Sequence, residues 1–82
     1  MQNWNILGNN SPDDVVRHQR TFPDGTDVIL AIRHVGGTYE VISTAESRTS
    51  GPTVASHGRF LTLAEATRTL EEEAAAWERD LS

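Results

Sequence analysis

The chain contains no cysteine and no lysine among its 82 residues. Without cysteine it can form neither a disulfide bond nor a catalytic thiolate, and a zinc–thiolate site is excluded as well. This absence fits a reducing compartment. The basic residues are all arginine, and two explanations stay open: codon bias in a GC-rich genome, or selection for planar guanidinium contacts to phosphate and carboxylate groups.

Long hydrophobic runs are also missing. No window approaches the roughly 18 to 20 apolar residues of a transmembrane helix, and the first ten residues carry no basic side chain, so they do not predict a signal peptide. We therefore expect a cytoplasmic protein that does not bind membranes. Apolar residues make up 37% of the chain, enough for one modest core in a single domain over residues 1–82. A deep, enclosed active-site cavity is difficult to form in a chain with so few residues.

The net charge of −5 is unevenly distributed. Residues 65–82 contain six acidic residues and two arginines, which gives −4, whereas residues 1–64 contain six acidic residues and five arginines, which gives −1. The acidity therefore belongs to the C-terminal part of the chain. Net charge bears on solubility and on partners rather than on the fold.

The C-terminal part predicts one long helix over residues 62–81. Thr62 and Glu65 have the spacing of a capping box at its start. Apolar residues then recur at spacings of three and four, as on one face of a helix. They are Leu63, Ala66, Leu70, Ala74, Trp77 and Leu81.

Ahead of this helix, residues 15–61 predict an antiparallel sheet. Two β-rich runs between Asp27 and Ala45 flank Gly36-Gly37, a pair typical of a two-residue hairpin turn with positive φ angles. This turn places Ile32 opposite Val41. It also places Arg33 opposite Glu40, an opposite-charge pair that supports the same register.

Two further strands are expected on either side of the hairpin. One spans about Val15–Thr21, although a short helix beginning at Ser11, with Pro12 as its first residue, is a rival interpretation. The other lies within Thr53–Phe60, with a bulge at Gly58.

Residues 1–14 are predicted to be irregular, and Trp4 and Ile6 either add an edge strand or close one end of the core. The fold class is therefore α+β, with an antiparallel meander of three to four strands and one long C-terminal helix packed on one face.

No pattern in the sequence indicates catalysis, a metal or a cofactor. His18, His34 and His57 lack metal-site spacing. No serine lies in a nucleophile elbow, and the adjacent carboxylates of residues 71–73 diverge around the helix. Gly36-Gly37 lacks both the lysine and the following helix of a phosphate-binding loop. We expect no catalytic residue, no metal ligand and no cofactor.

The hairpin register sorts the sheet into two faces. One face supplies the core, for which we expect mutual burial of Leu30, Ile32, Val41, Leu70, Ala74 and Trp77. The other face carries a small apolar island, Ile29, Ala31 and Ile42, bordered by Arg33 and Glu40. Uncovered sheet faces are usually polar. These five residues therefore predict a non-enzymatic interaction domain that binds a protein partner, or itself as a homodimer.

Two alternatives involve nucleic acid. A three-stranded sheet followed by one helix, with the run FLTLAEA of residues 60–66 at the junction, resembles in layout only the arm-binding domains of phage integrases. Those domains place a sheet in the major groove. The basic and aromatic strands of such a sheet are missing here, but four arginines are candidates for one nucleic-acid-binding face: Arg17, Arg20, Arg33 and Arg59. The other alternative is an acidic inhibitor whose helix carboxylates mimic nucleic acid.

Overall fold

The structure, a computed structural model, describes residues 1–81. Within them the chain forms five strands and one helix: β1 (Asn5–Ile6), β2 (Asp14–Thr21), β3 (Asp27–Val35), β4 (Thr38–Glu46), β5 (Thr53–Phe60) and α1 (Leu63–Leu81). The strands form one antiparallel sheet in chain order. The predicted α+β architecture is confirmed. The additional strand is β1, which lies in the segment expected to be irregular.

The β3–β4 hairpin has the predicted register. Ile32 lies opposite Val41 and Arg33 lies opposite Glu40. Gly36 and Gly37 both have positive φ angles, +60° and +80°, as the turn requires. Glycine adopts this conformation without the steric cost that a side chain would bring.

The segment after Pro12 is a strand, and the rival helix does not form. Asp14 accepts backbone hydrogen bonds from Asn10 and Ser11 at 2.7 and 3.1 Å, which shapes a turn directly ahead of β2. An irregularity in the β2–β3 register follows between Asp14 and Val16. The carboxylate of Asp14 therefore closes a local turn ahead of β2.

The predicted bulge in β5 is present at Gly58. The β4–β5 register shifts between Glu40 and Ile42, so two residues of β5 lie opposite Val41. Gly58 has a φ of +116°. Glycine adopts this positive φ angle readily, whereas other residues rarely do, so Gly58 allows the bulge to form within β5.

The helix α1 packs across β3, β4 and β5 on one face of the sheet. Its apolar stripe meets alternate residues of the hairpin, and the buried core is Trp4, Phe22, Val28, Leu30, Ile32, Val41, Ala66, Leu70 and Ala74. The expected core is confirmed except at Trp77, which is only partly buried and packs at the rim. Trp4 fills the core instead, with its ring edge-on to Phe22 at a centroid distance of 5.9 Å.

Candidate functional site

The face of the sheet opposite α1 is the open face. Side chains alternate between the two faces along each strand. Since Leu30, Ile32 and Val41 lie beneath the helix, Ile29, Ala31 and Ile42 project to the open face. In β5, Val54 also lies on this face, because it is the cross-strand partner of Thr44. The apolar island predicted from the sequence is therefore placed on the open face and extended by one residue.

A concavity of about 360 Å³ lies on the open face. Its floor is formed by Ala31, Ile42, Thr44 and Val54, and its sides by Arg17, Arg33, Asp14, Asn10 and Ser11. Three of the five predicted partner-binding residues therefore line it: Ala31, Arg33 and Ile42. Ile29 and Glu40 lie on the same face but outside the lining.

Of the other lining residues, Thr44 follows from the hairpin register and Arg17 was predicted for the alternative nucleic-acid-binding face, whereas sequence reasoning missed Val54, Asn10, Ser11 and Asp14. Val54 is 66% exposed, and the sequence predicted a strand within Thr53–Phe60 without a register that would assign its residues to the two faces. The turn before β2 lies beside the sheet, and it therefore brings Asn10, Ser11 and Asp14 to the concavity. Sequence spacing gives no indication of where such a turn lies.

The ion pairs on the open face join the β3–β4 hairpin to the residues on either side of it. Arg33 and Glu40 share the predicted register, but the guanidinium of Arg33 lies 3.6 Å from Asp13 and 3.8 Å from Asp14. Glu40 lies 3.6 Å from the guanidinium of Arg59. The predicted cross-strand register of Arg33 and Glu40 is thus confirmed, while each side chain forms its ion pair with a residue outside the β3–β4 hairpin.

Arg17 is the open-face arginine without a carboxylate partner among residues 1–81. Its Nη1 donates a hydrogen bond of 2.7 Å to the carbonyl oxygen of Gly8, which fixes the guanidinium at the side of the concavity. Arg17 pairs with Ala31 across the β2–β3 ladder. A guanidinium with unused donors therefore lies directly beside the apolar floor.

Arg20 does not share a face with the other three candidate arginines. It lies opposite Val28, a core residue, and thus points to the helix side of the sheet. There its guanidinium lies 3.9 Å from Glu78 and 4.6 Å from the ring centroid of Phe22. The predicted grouping of Arg17, Arg20, Arg33 and Arg59 on one surface is therefore wrong at Arg20.

A second polar cluster, which sequence reasoning missed, joins the sheet to α1. The Nε2 atom of His57 lies 2.8 Å from the hydroxyl oxygen of Ser43, and Nδ1 lies 3.4 Å from a carboxylate oxygen of Glu73. Hydroxyl, imidazole and carboxylate in this order are the components of a nucleophilic triad. However, Ser43 is only 4% exposed and lies on the helix side of the sheet, so its hydroxyl is not presented to a substrate.

The bulge of β5 brings His57 to Glu73, and no local motif could have revealed the contact. The one available signal was Ser43, a polar residue on an otherwise apolar strand face. Within residues 1–81, no group of three histidine, cysteine or acidic side chains is arranged to hold a metal ion.

Comparison with known proteins gave no match to a family model, a curated protein or a solved structure. In the part of the chain that the structure describes, no helix combines the length and apolar character needed to cross a membrane.

Proposed function

We propose that this protein is a non-enzymatic interaction domain that binds a protein partner through the concavity on its open face. The observation that carries the proposal is the uncovered apolar floor of Ala31, Ile42 and Val54 beside Arg17. A partner that covers these side chains gains about 25 cal/mol for each Å² of apolar surface removed from water. The sheet itself is held by α1 on its other face, so binding requires no rearrangement of the core.

The chemistry of the concavity indicates the kind of segment it fits. The floor suits an aliphatic or aromatic side chain. The guanidinium of Arg17 suits a carboxylate, because arginine binds carboxylates through charge-assisted hydrogen bonds. Arg33 is already neutralised by Asp13 and Asp14 and contributes a polar rim. We therefore expect a partner peptide with an Asp or Glu beside a large apolar residue.

Selection from a phage-displayed library of random dodecapeptides tests this directly. The expected result is enrichment of sequences with an acidic residue next to an apolar one. Amide chemical shifts of the isotope-labelled protein, titrated with a selected peptide, should move at Arg17, Ala31 and Ile42 and not along α1.

Variants then separate the contributions. The double substitution Ile29→Thr and Ile42→Thr should leave the fold intact, since threonine suits strands, and should weaken peptide binding. Arg17→Met should weaken it about tenfold, the effect of one hydrogen bond to a charged group. Ile6→Thr is the matched control, because Ile6 is an exposed isoleucine on the opposite side of the sheet.

Three outcomes would overturn the proposal. One is the absence of any enriched peptide, and another is a peptide whose shifts map to α1. The third is binding of a mixed-sequence DNA duplex to the open face with loss of affinity at raised salt, which would identify a nucleic-acid surface instead.

A further inference from the structure

The outer edge of β5 has no partner strand among residues 1–81. Thr53, Val54, Ala55 and Ser56 are all exposed, and they pair regularly with β4 on their inner side. An edge strand of this kind presents backbone N–H and C=O groups that another strand can use. The opposite edge of the sheet differs, since β1 covers part of β2 and Leu7 donates its N–H to the carbonyl of Arg17 at 2.9 Å.

This edge lacks most of the features that protect edge strands from association. Such features are lysine and other charges, proline within the strand, and bulges. From Thr49 to Gly58 the only ionisable side chain is His57, and Pro52 precedes the strand. The bulge at Gly58 lies beyond the regular stretch, so residues 53–56 remain available.

One large apolar side chain is exposed in the regular stretch of this edge. Val54 is 66% exposed, and its neighbours Thr53, Ala55 and Ser56 carry no charge. A neutral edge with apolar side chains is compatible with a second copy of itself, because pairing brings no like charges together.

We propose that two copies of the chain pair antiparallel through β5, about a two-fold axis perpendicular to the sheet. Such an axis keeps each face on its own side, so residues directly opposite must point to the same face. Residues on the same face of a strand are an even number of positions apart, so the residue numbers of each opposite pair add up to an even number. The two-fold axis therefore passes through the position of one residue and not between two residues. An axis at Val54 places its exposed side chain against Val54 of the second copy and Thr53 opposite Ala55.

This pairing goes beyond the proposed function and enlarges its surface. Val54 also lines the concavity on the open face, so the dimer joins two concavities across a continuous ten-stranded sheet. The paired stretch of residues 53–56 is short, and the interface is smaller than the roughly 1,600 Å² of a standard one. The dimer therefore forms reversibly and depends on protein concentration.

Variants that introduce charge on the helix side of β5 test the pairing. Thr53 and Ala55 lie opposite Ala45 and Ser43 and do not belong to the open face. In sedimentation equilibrium, the mass of the wild-type chain should rise with concentration from 9.0 kDa towards twice that value. T53K/A55K and T53E/A55E should each dissociate at least about tenfold more readily, because like charges then lie directly opposite. An equimolar mixture of the two variants should recover the dimer.

The controls distinguish this interface from the open face. T49K/S50K adds the same charges in the preceding loop and should dimerise like the wild type. A chain that stays monomeric up to millimolar concentration would overturn the proposal, as would a dimer that survives T53K/A55K. A dimer lost only in the Ile29→Thr and Ile42→Thr variant would place self-association on the open face. Peptide binding by monomeric T53K/A55K would show that the proposed function holds even if the β5 pairing fails.

Discussion

The indole N–H of Trp4 donates a 2.8 Å hydrogen bond to a carboxylate oxygen of Glu78, near the C-terminal end of α1. This contact joins residues 74 positions apart. It closes the core at the end where Trp77 lies partly exposed. The first residues of the chain are thus tied to the last turns of the helix.

Replacing Trp4 should therefore destabilise the whole domain. Trp4→Ala should lower the free energy of unfolding by about 3–5 kcal/mol, because it removes a buried aromatic side chain. Trp4→Phe keeps most of the packing and should lose about 1 kcal/mol through the missing hydrogen bond. Urea denaturation measures both changes. Glu78→Gln keeps an acceptor for the indole, so a loss as large as that of Trp4→Ala would contradict this account.

The two tryptophans show what sequence periodicity can and cannot predict. Trp77 falls on the apolar stripe of α1, and periodicity alone predicted its burial. The sequence of the helix does not indicate which chain segment covers its end. In the structure Trp4 covers it, and the segment around Trp4 contains only the two-residue strand β1. Local patterns predicted the hairpin, the bulge and the helix, whereas the closure of the core depends on a distant contact.

The open face shows the same division. The period of two placed Ile29, Ala31 and Ile42 on one face, and the structure agrees. The register also placed Arg33 opposite Glu40, but long charged side chains choose among every neighbour within reach, and Arg33 lies near Asp13 and Asp14 instead. Backbone register was predictable from turn chemistry, and side-chain pairing was not.

His18 should make stability dependent on pH. Its Nδ1 is buried with no hydrogen-bond partner among residues 1–81. Burial, and to a lesser extent the positive charge of the Met1 amino group, lowers the pKa of His18 below its ordinary value of 6.5. The unfolded chain therefore binds a proton more readily than the folded one. The contribution of His18 to stability is complete above pH 6.5 and is lost as the pH falls from there through the folded-state pKa.

Denaturation at pH 7.5 and pH 5 tests this dependence. The wild type should be less stable at the lower pH, and His18→Gln should show a smaller difference between the two values. His34→Gln is the control, because His34 is exposed and stacked on Tyr39 with ring centroids 4.3 Å apart. A pH dependence that His18→Gln leaves unchanged would show that other groups cause it.

The contact between Ser43 and His57 should be measurable as a coupling free energy. Ser43→Ala and His57→Leu each remove one side of a 2.8 Å hydrogen bond between β4 and β5. A double-mutant cycle on unfolding free energies should give about 1 kcal/mol, the usual net value of such a bond. The 3.4 Å contact of His57 with the Glu73 carboxylate is partly exposed and should contribute less than about 1 kcal/mol. A Ser43–His57 coupling near zero would mean that the hydroxyl and the imidazole do not depend on each other.

Alanine at two glycines should separate backbone strain from steric contact. At Gly37 the φ of +80° disfavours a side chain, but an added Cβ would meet no atom within 4 Å. Gly37→Ala should therefore cost about 1–2 kcal/mol, from the backbone alone. At Gly58 the φ of +116° is less accessible still, and the Cβ would lie 3.3 Å from the ring of Phe60. Gly58→Ala should cost roughly 1–3 kcal/mol and should shift the amide signals of His57 and Glu73, because the bulge positions that histidine. Equal losses at the two glycines, with the His57 signals unmoved, would show that the bulge does not hold the β5–α1 contact in place.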